Sequence, residues 1–146
     1  MTPAHSAALT RAITLLHDHG CSCVVIPHCS PEPVICRRRG IKDLFDIFTH
    51  SPALLRGAII ADKVVGKGAA AIMAAGGIDA LHTPVISRGA LVLLQHAGIS
   101  VTYGEAVPNI INRAGTGICP VEQLCADAVT PAECIPIIAE FLASRK

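Results

Sequence analysis

Along most of this chain, short apolar runs rich in β-branched residues alternate with segments whose apolar residues recur every three or four positions. That alternation constrains the fold more than any other feature. Strands joined through helices build a sheet with parallel neighbours, covered by helices on both faces. A hairpin near the start adds an antiparallel pair, so the expected class is α/β: a three-layer α/β/α sandwich with a mixed central sheet.

In detail, Thr2 can cap a helix with Pro3 in its first position, and Leu9, Ala12, Ile13 and Leu16 recur at helical spacing before Gly20 closes the segment. Residues 21–26 read as a strand and 34–36 as its hairpin partner. Ile41, Leu44, Phe45 and Phe48 mark a second helix. Residues 57–61 look extended, and Asp62 is expected to open a third helix reaching about residue 75. Residues 80–86 read as a buried strand, Ser87 as the cap of a fourth helix, and 99–103 as another strand. Pro120 should begin a fifth helix. Thr130-Pro131-Ala132-Glu133 is a capping box for a last helix over 131–143. Pro136 interrupts that helix, and nothing in the sequence explains it. The length of 146 residues suits a single domain spanning 1–146.

Composition excludes several functions. Hydrophobic residues make up 51% and charged residues 16%, which rules out a disordered chain. With 12 Lys+Arg against 11 Asp+Glu, the net charge of +1 gives no field to gather nucleic acid or an acidic membrane surface. No apolar stretch reaches the roughly 20 residues a bilayer span requires. The beginning of the chain lacks the pattern of a secretory signal. The count of seven cysteines is odd. Reduced thiols and a cytoplasmic location follow as expectations. Cys21 and Cys23, two apart, are expected on one strand face near His28, Cys29 and Cys36. No spacing there matches a metal knuckle, so these cysteines read as small buried apolar residues and no metal is expected.

Two stretches carry chemistry. In Asp62-Lys63-Val64-Val65-Gly66-Lys67-Gly68, an acidic residue at a helix start would meet free N–H groups. Lys63 and Lys67, one turn apart, would share a helix face and attract an anion. Gly66 and Gly68 each cost a helix about 1 kcal/mol relative to Ala, which implies close approach of a backbone or ligand. Solvated lysines on a packed helix are the plainer reading. In Asn109-Ile110-Ile111-Asn112-Arg113-Ala114-Gly115-Thr116-Gly117-Ile118-Cys119-Pro120-Val121-Glu122, Cys119 takes the N-cap and Glu122 the third helical position, a capping box with a thiol in place of a hydroxyl. A helix start and a cation such as Arg113 favour thiolate, and the Gly115-Thr116-Gly117 turn can present N–H groups to an anion.

These stretches, with Arg39-Gly40-Ile41 and Val85-Ile86-Ser87 followed by Ala90-Leu91, resemble the family called domain of unknown function 1893, over about residues 10–128, with the last helix outside that core. The resemblance implies a fold similar to that of the cytidine deaminases. Zinc deaminases of that fold hold their metal with a His or Cys beside a Glu at one helix start and Pro-Cys-x-x-Cys at the next. Here the matching places carry Asp62-Lys63 and Ser87, so zinc-dependent deamination is not expected.

Two functions from different classes fit. The first is an enzyme acting without zinc on a small anionic, nucleotide-like molecule. Cys119, Asp62, Lys63 and Glu122 would form its catalytic group, and Lys67, Ser87, Asn109, Asn112, Arg113, Thr116 and Gly117 would bind the ligand. The second is a ligand-sensing or interaction module using the same pocket; a transition metal held by the hairpin cysteines, though their spacing matches no known knuckle, is a further reading to be decided by metal analysis. The cofactor is unknown from sequence. Apolar residues of 41–48 or of the last helix offer a surface for a homodimer.

Overall fold

A computed structural model describes residues 3–38, 41–111 and 115–144. Its elements are α1 (Pro3–His19), β1 (Cys23–Ile26), β2 (Val34–Cys36), α2 (Lys42–His50), β3 (Ile59–Asp62), β4 (Val64–Val65), α3 (Lys67–Gly76), β5 (Ala80–Ser87), α4 (Arg88–His96), β6 (Ser100–Val107), α5 (Pro120–Leu124) and α6 (Pro131–Ala143). The expected elements are present. The Thr2 cap lies outside the described residues, as does Arg39-Gly40.

The sheet is mixed. β1 pairs antiparallel with β2 on one side and β3 on the other. β5 runs parallel to β3 through its first residues and to β4 farther along, while β6 lies parallel to β5 on the opposite edge. β3 and β4 thus act as one strand broken at Lys63. The two faces are covered by helices. α1 packs on β1, β3 and β5, and α3 packs beside α4 and α6 on the other face. Alternation along the strands serves both layers. Val24, Ile26, Ile59 and Ala61 face Leu9, Ala12 and Leu16 of α1. Cys23, Val25 and Ile60 face the larger cluster that holds Ile72, Met73, Leu94 and Ile138. Cys21 precedes β1 and packs under α1, so Cys21 and Cys23 do not share a face as their spacing suggested.

The segment around Asp62 corrects the sequence reading. Asp62 ends β3, and α3 begins only at Lys67. Val64 and Val65 pair with Val85 and Ile86 of β5, and Val65 is fully buried. Two β-branched residues gain more from a ladder and a core position than from a helix start. Lys63 and Lys67 therefore do not share a helix face. The glycines mark a close approach. A Cβ on Gly68 would lie 2.4 Å from Cγ1 of Val121, so α5 packs directly onto α3 there. At the last helix the expected cap forms: the Thr130 hydroxyl accepts the Glu133 N–H at 3.3 Å. No described helix is long and apolar enough to cross a membrane.

Candidate functional site

The parallel strands end where α3 and α4 begin, and the chain after β6 returns across the same edge. A cavity of about 780 Å³ opens there, lined among others by Cys23, Cys36, Asp62, Lys63, Cys119 and Glu122. The break at Lys63 sets its floor. Asp62, at the end of β3, accepts the Val64 N–H at 3.3 Å, and the Lys63 N–H goes back to the Ser22 carbonyl. Burial pushes the Asp62 carboxyl up to about 7, against the smaller opposing pull of the Val64 N–H, the Cys23 thiol and the Lys63 N–H. The Lys63 side chain is exposed at the rim.

Glu122 is the organising residue on the other wall. It is 5% exposed. Oε1 accepts the Lys67 N–H at 2.8 Å and the Ser87 hydroxyl at 3.0 Å, and Oε2 accepts the Ile110 N–H at 2.6 Å. One carboxylate thereby ties the start of α3, the start of α4 and the segment after β6. The donor at the first position of α3 is one of the N–H groups a helix leaves open, and Gly66 before it has no side chain to cap it. Ser87 also caps α4 by accepting the Ala90 N–H at 3.3 Å. Both oxygens of Glu122 are thus engaged by the protein.

The capping box expected at Cys119 does not form. Cys119 occupies the N-cap position of α5, but its thiol makes no cap hydrogen bond, and its N–H goes to the Ile110 carbonyl at 2.8 Å. Glu122 is drawn instead to donors from three other elements. The Cys119 thiol is left half-exposed on the cavity wall.

The remaining residues are distributed as follows. Lys67 turns its ammonium group to the carbonyls of Ala126, at 3.0 Å, and Ala128, just beyond α5. Asn109 lines a neighbouring apolar groove of about 490 Å³ with Val64, Val85 and Ile111. Thr116 and Gly117 lie exposed in a turn closed by a bridge between Ile111 and Ile118. Asn112 and Arg113 lie outside the described residues. Asp62, Lys63, Cys119 and Glu122 therefore meet at one cavity, and Lys67, Asn109, Thr116 and Gly117 do not line it. Ser87 reaches it only through Glu122.

The hairpin cysteines Cys23 and Cys36, read from sequence as small buried apolar residues, reach the cleft. Cys23 stands directly opposite both Cys36 and Asp62 across neighbouring strands. The signal was available in the hairpin register, since 23 and 36 pair once 25 and 34 do. Among the described residues, no three His, Cys, Asp or Glu side chains are grouped to hold a metal ion. The two places to which the resemblance assigned zinc ligands carry Asp62-Lys63, with no His or Cys beside a Glu, and Ser87, whose hydroxyl is committed to Glu122 and Ala90. These residues do not fit a zinc.

The family model described as TM1506, domain of unknown function (DUF1893), matches residues 11–142. The crystal structure of a DUF1893 family protein (TM1506) from Thermotoga maritima superposes with a TM-score of 0.83 at 27% sequence identity, over 92% of this chain and 89% of that one. No curated protein matches. The match to the family model spans nearly all of the sequence, and the chain belongs to the DUF1893 family.

Proposed function

We propose that the cleft binds a small anionic, nucleotide-like molecule and that the protein is an enzyme acting on it without zinc. Lys63 at the rim pairs with the anion. Cys119 on the opposite wall is the nucleophile, and Asp62 on the floor serves as the acid–base group. A carboxyl that titrates near neutral pH can both give and take a proton there. Glu122 holds the walls in position. Arg113, two residues beyond the cavity-lining Ile111, adds positive charge in this reading. The observation that carries the proposal is the convergence of Asp62, Lys63 and Cys119, from distant parts of the sequence, on one cavity of about 780 Å³. That volume falls within the range of about 300–1,000 Å³ usual for small-molecule sites.

We further read the fold as cytidine deaminase-like, the chain as a single domain, and its location as cytoplasmic. The mixed sheet between helices is compatible with that fold.

A thermal-shift panel of inorganic phosphate, sulfate, purine and pyrimidine mononucleotides and small carboxylates tests the binding. At least one compound is expected to raise the midpoint in a concentration-dependent way, since a ligand of the folded state stabilises by mass action. Lys63→Ala should abolish that rise. In Cys119→Ser, binding should persist while any turnover of the bound compound is lost. No stabilisation by any panel member, or equal stabilisation of wild type and Lys63→Ala, refutes the reading.

A further inference from the structure

Cys36, Cys23 and Asp62 form a row across three strands. Cys23 of β1 stands directly opposite Cys36 of β2 and directly opposite Asp62 of β3. Directly opposed residues project from the same face of a sheet, and all three of these line the cavity. In an antiparallel pair their Cα atoms stand about 4.5–5.5 Å apart, within the span of about 4.4–6.8 Å that a disulfide bridges. Cys23 and Cys36 are thus within reach of a disulfide, which draws their Cβ atoms from the roughly 4.5–5.5 Å of an opposed pair to about 3.5–4.5 Å, a small local adjustment.

The other thiols are placed differently. Cys21 packs under α1, and Cys29 is exposed and donates to the Ala53 carbonyl at 3.5 Å. Cys23 and Cys36 are themselves only 5% and 3% exposed but line the cleft, whereas Cys125 and Cys134, which contact each other, are fully buried and line neither cavity. Cys119 shares the cavity but has no opposed thiol in the sheet.

The geometry points to a dithiol–disulfide couple, Cys23 and Cys36, that faces the cleft and exchanges with low-molecular-weight disulfides, with Asp62 as its proton acceptor. The Asp62 carboxylate takes the proton from the Cys23 thiol as the Cys23 sulfur attacks one sulfur of the external disulfide, breaking its S–S bond. A mixed disulfide forms on Cys23, and one external thiolate leaves and takes up the proton. The Cys36 sulfur then attacks the Cys23 sulfur, which closes the protein disulfide, and its proton goes to the second external thiolate, which leaves as a thiol. Two protein thiols are oxidised and one disulfide is reduced to two thiols, so atoms and electrons balance.

The surroundings explain why a base is needed. The adjacent Cys36 side chain, burial and the Asp62 charge, in that order, hold the Cys23 thiol well above its ordinary value. Free thiolate is then scarce near neutral pH, so the proton passes to a neighbouring base as the sulfur attacks rather than beforehand. Asp62 is that neighbour, on the row and on the cavity floor. This couple goes beyond the anion-binding reading and does not require it.

The test uses the full chain, equilibrated without oxygen in buffers of fixed reduced-to-oxidised glutathione ratio. Samples are quenched in acid, unfolded, alkylated and mapped by mass spectrometry without reduction. Cys23 and Cys36 should lose alkylation together as the buffer becomes more oxidising, a Cys23–Cys36 linked peptide should appear, and dithiothreitol should reverse both. In Cys36→Ser, Cys23 should stop at the mixed disulfide with glutathione. Asp62→Asn should slow formation of the linked peptide by about tenfold or more. The couple is overturned if wild-type Cys23 and Cys36 stay alkylated at every ratio while Cys29 becomes glutathionylated, or if Cys23 links to a different cysteine. An unchanged rate in Asp62→Asn overturns the role of the carboxylate.

Discussion

Replacing Glu122 by Gln keeps the shape of the side chain and removes the charge and one acceptor oxygen. In the native chain the carboxylate accepts three hydrogen bonds, from the Lys67 N–H, the Ser87 hydroxyl and the Ile110 N–H. A glutamine oxygen placed at Oε1 keeps the first two, now as neutral bonds. The amide NH₂ then faces the Ile110 N–H, two donors where the native contact is 2.6 Å. Charge-assisted bonds are about twice as strong as neutral ones, so weakening two of them costs about 1 kcal/mol or a little more. Leaving a buried N–H against another donor costs about 1–3 kcal/mol. The expected loss is about 2–4 kcal/mol, a large share of the roughly 5–15 kcal/mol that holds a domain folded. With a urea slope of about 2 kcal/mol/M, the middle of the range for small proteins, the midpoint should fall by about 1–2 M at unchanged slope. Ser87→Ala and the double variant complete a cycle, and a coupling of about 1 kcal/mol is expected between the two directly bonded side chains. A Glu122→Gln loss below about 0.5 kcal/mol, the size of an ordinary surface change, would refute the idea that this carboxylate pins three elements.

Three further outcomes follow. The Asp62 carboxyl should titrate near pH 7 by carbon-detected nuclear magnetic resonance; a midpoint near 4 would contradict its burial. Because its folded value lies above its unfolded one, its contribution to stability is full below about pH 4 and is lost as pH rises through about 7, and Asp62→Asn should remove that part of the pH dependence. Gly68→Ala gains about 1 kcal/mol of helix propensity but meets Val121 at 2.4 Å, an overpacking cost of about 1–3 kcal/mol, so the thermal midpoint should fall; a rise would refute the contact. Lys67→Met removes the donor to the Ala126 and Ala128 carbonyls and should cost about 1–3 kcal/mol in urea unfolding, while leaving any Lys63-dependent ligand binding intact.

Local signals made much of the fold readable. Pro3, Ser87 and Thr130 mark helix starts, and β-branched runs mark β1, β3 and β5, because caps and periodicity depend on neighbours a few residues away. The segment from Asp62 to Gly66 misled for the opposite reason. Two lysines one turn apart imitate a helix, and only the distant partners Val85 and Ile86 draw Val64 and Val65 into the sheet. Glu122 shows the same limit at the site. Its position suggested a local cap, yet its partners lie 55, 35 and 12 residues away in sequence. Lys67 likewise looked available to an anion until the chain after α5 brought two carbonyls to it. The meeting of the Asp62 and Cys119 stretches was legible only as a consequence of strand order, since both lie at the ends of segments that reach one edge of the sheet.

In the proposed site both walls of the cleft grip one ligand. Titration of isotope-labelled protein with inorganic phosphate and with mononucleotides, followed by amide nuclear magnetic resonance, tests it most directly. At least one of these ligands is expected to shift Lys63, Gly66, Ile111 and Cys119 along a single saturation curve. Saturable shifts confined to one wall or to another part of the molecule would contradict it, as would no saturable shift with any of them.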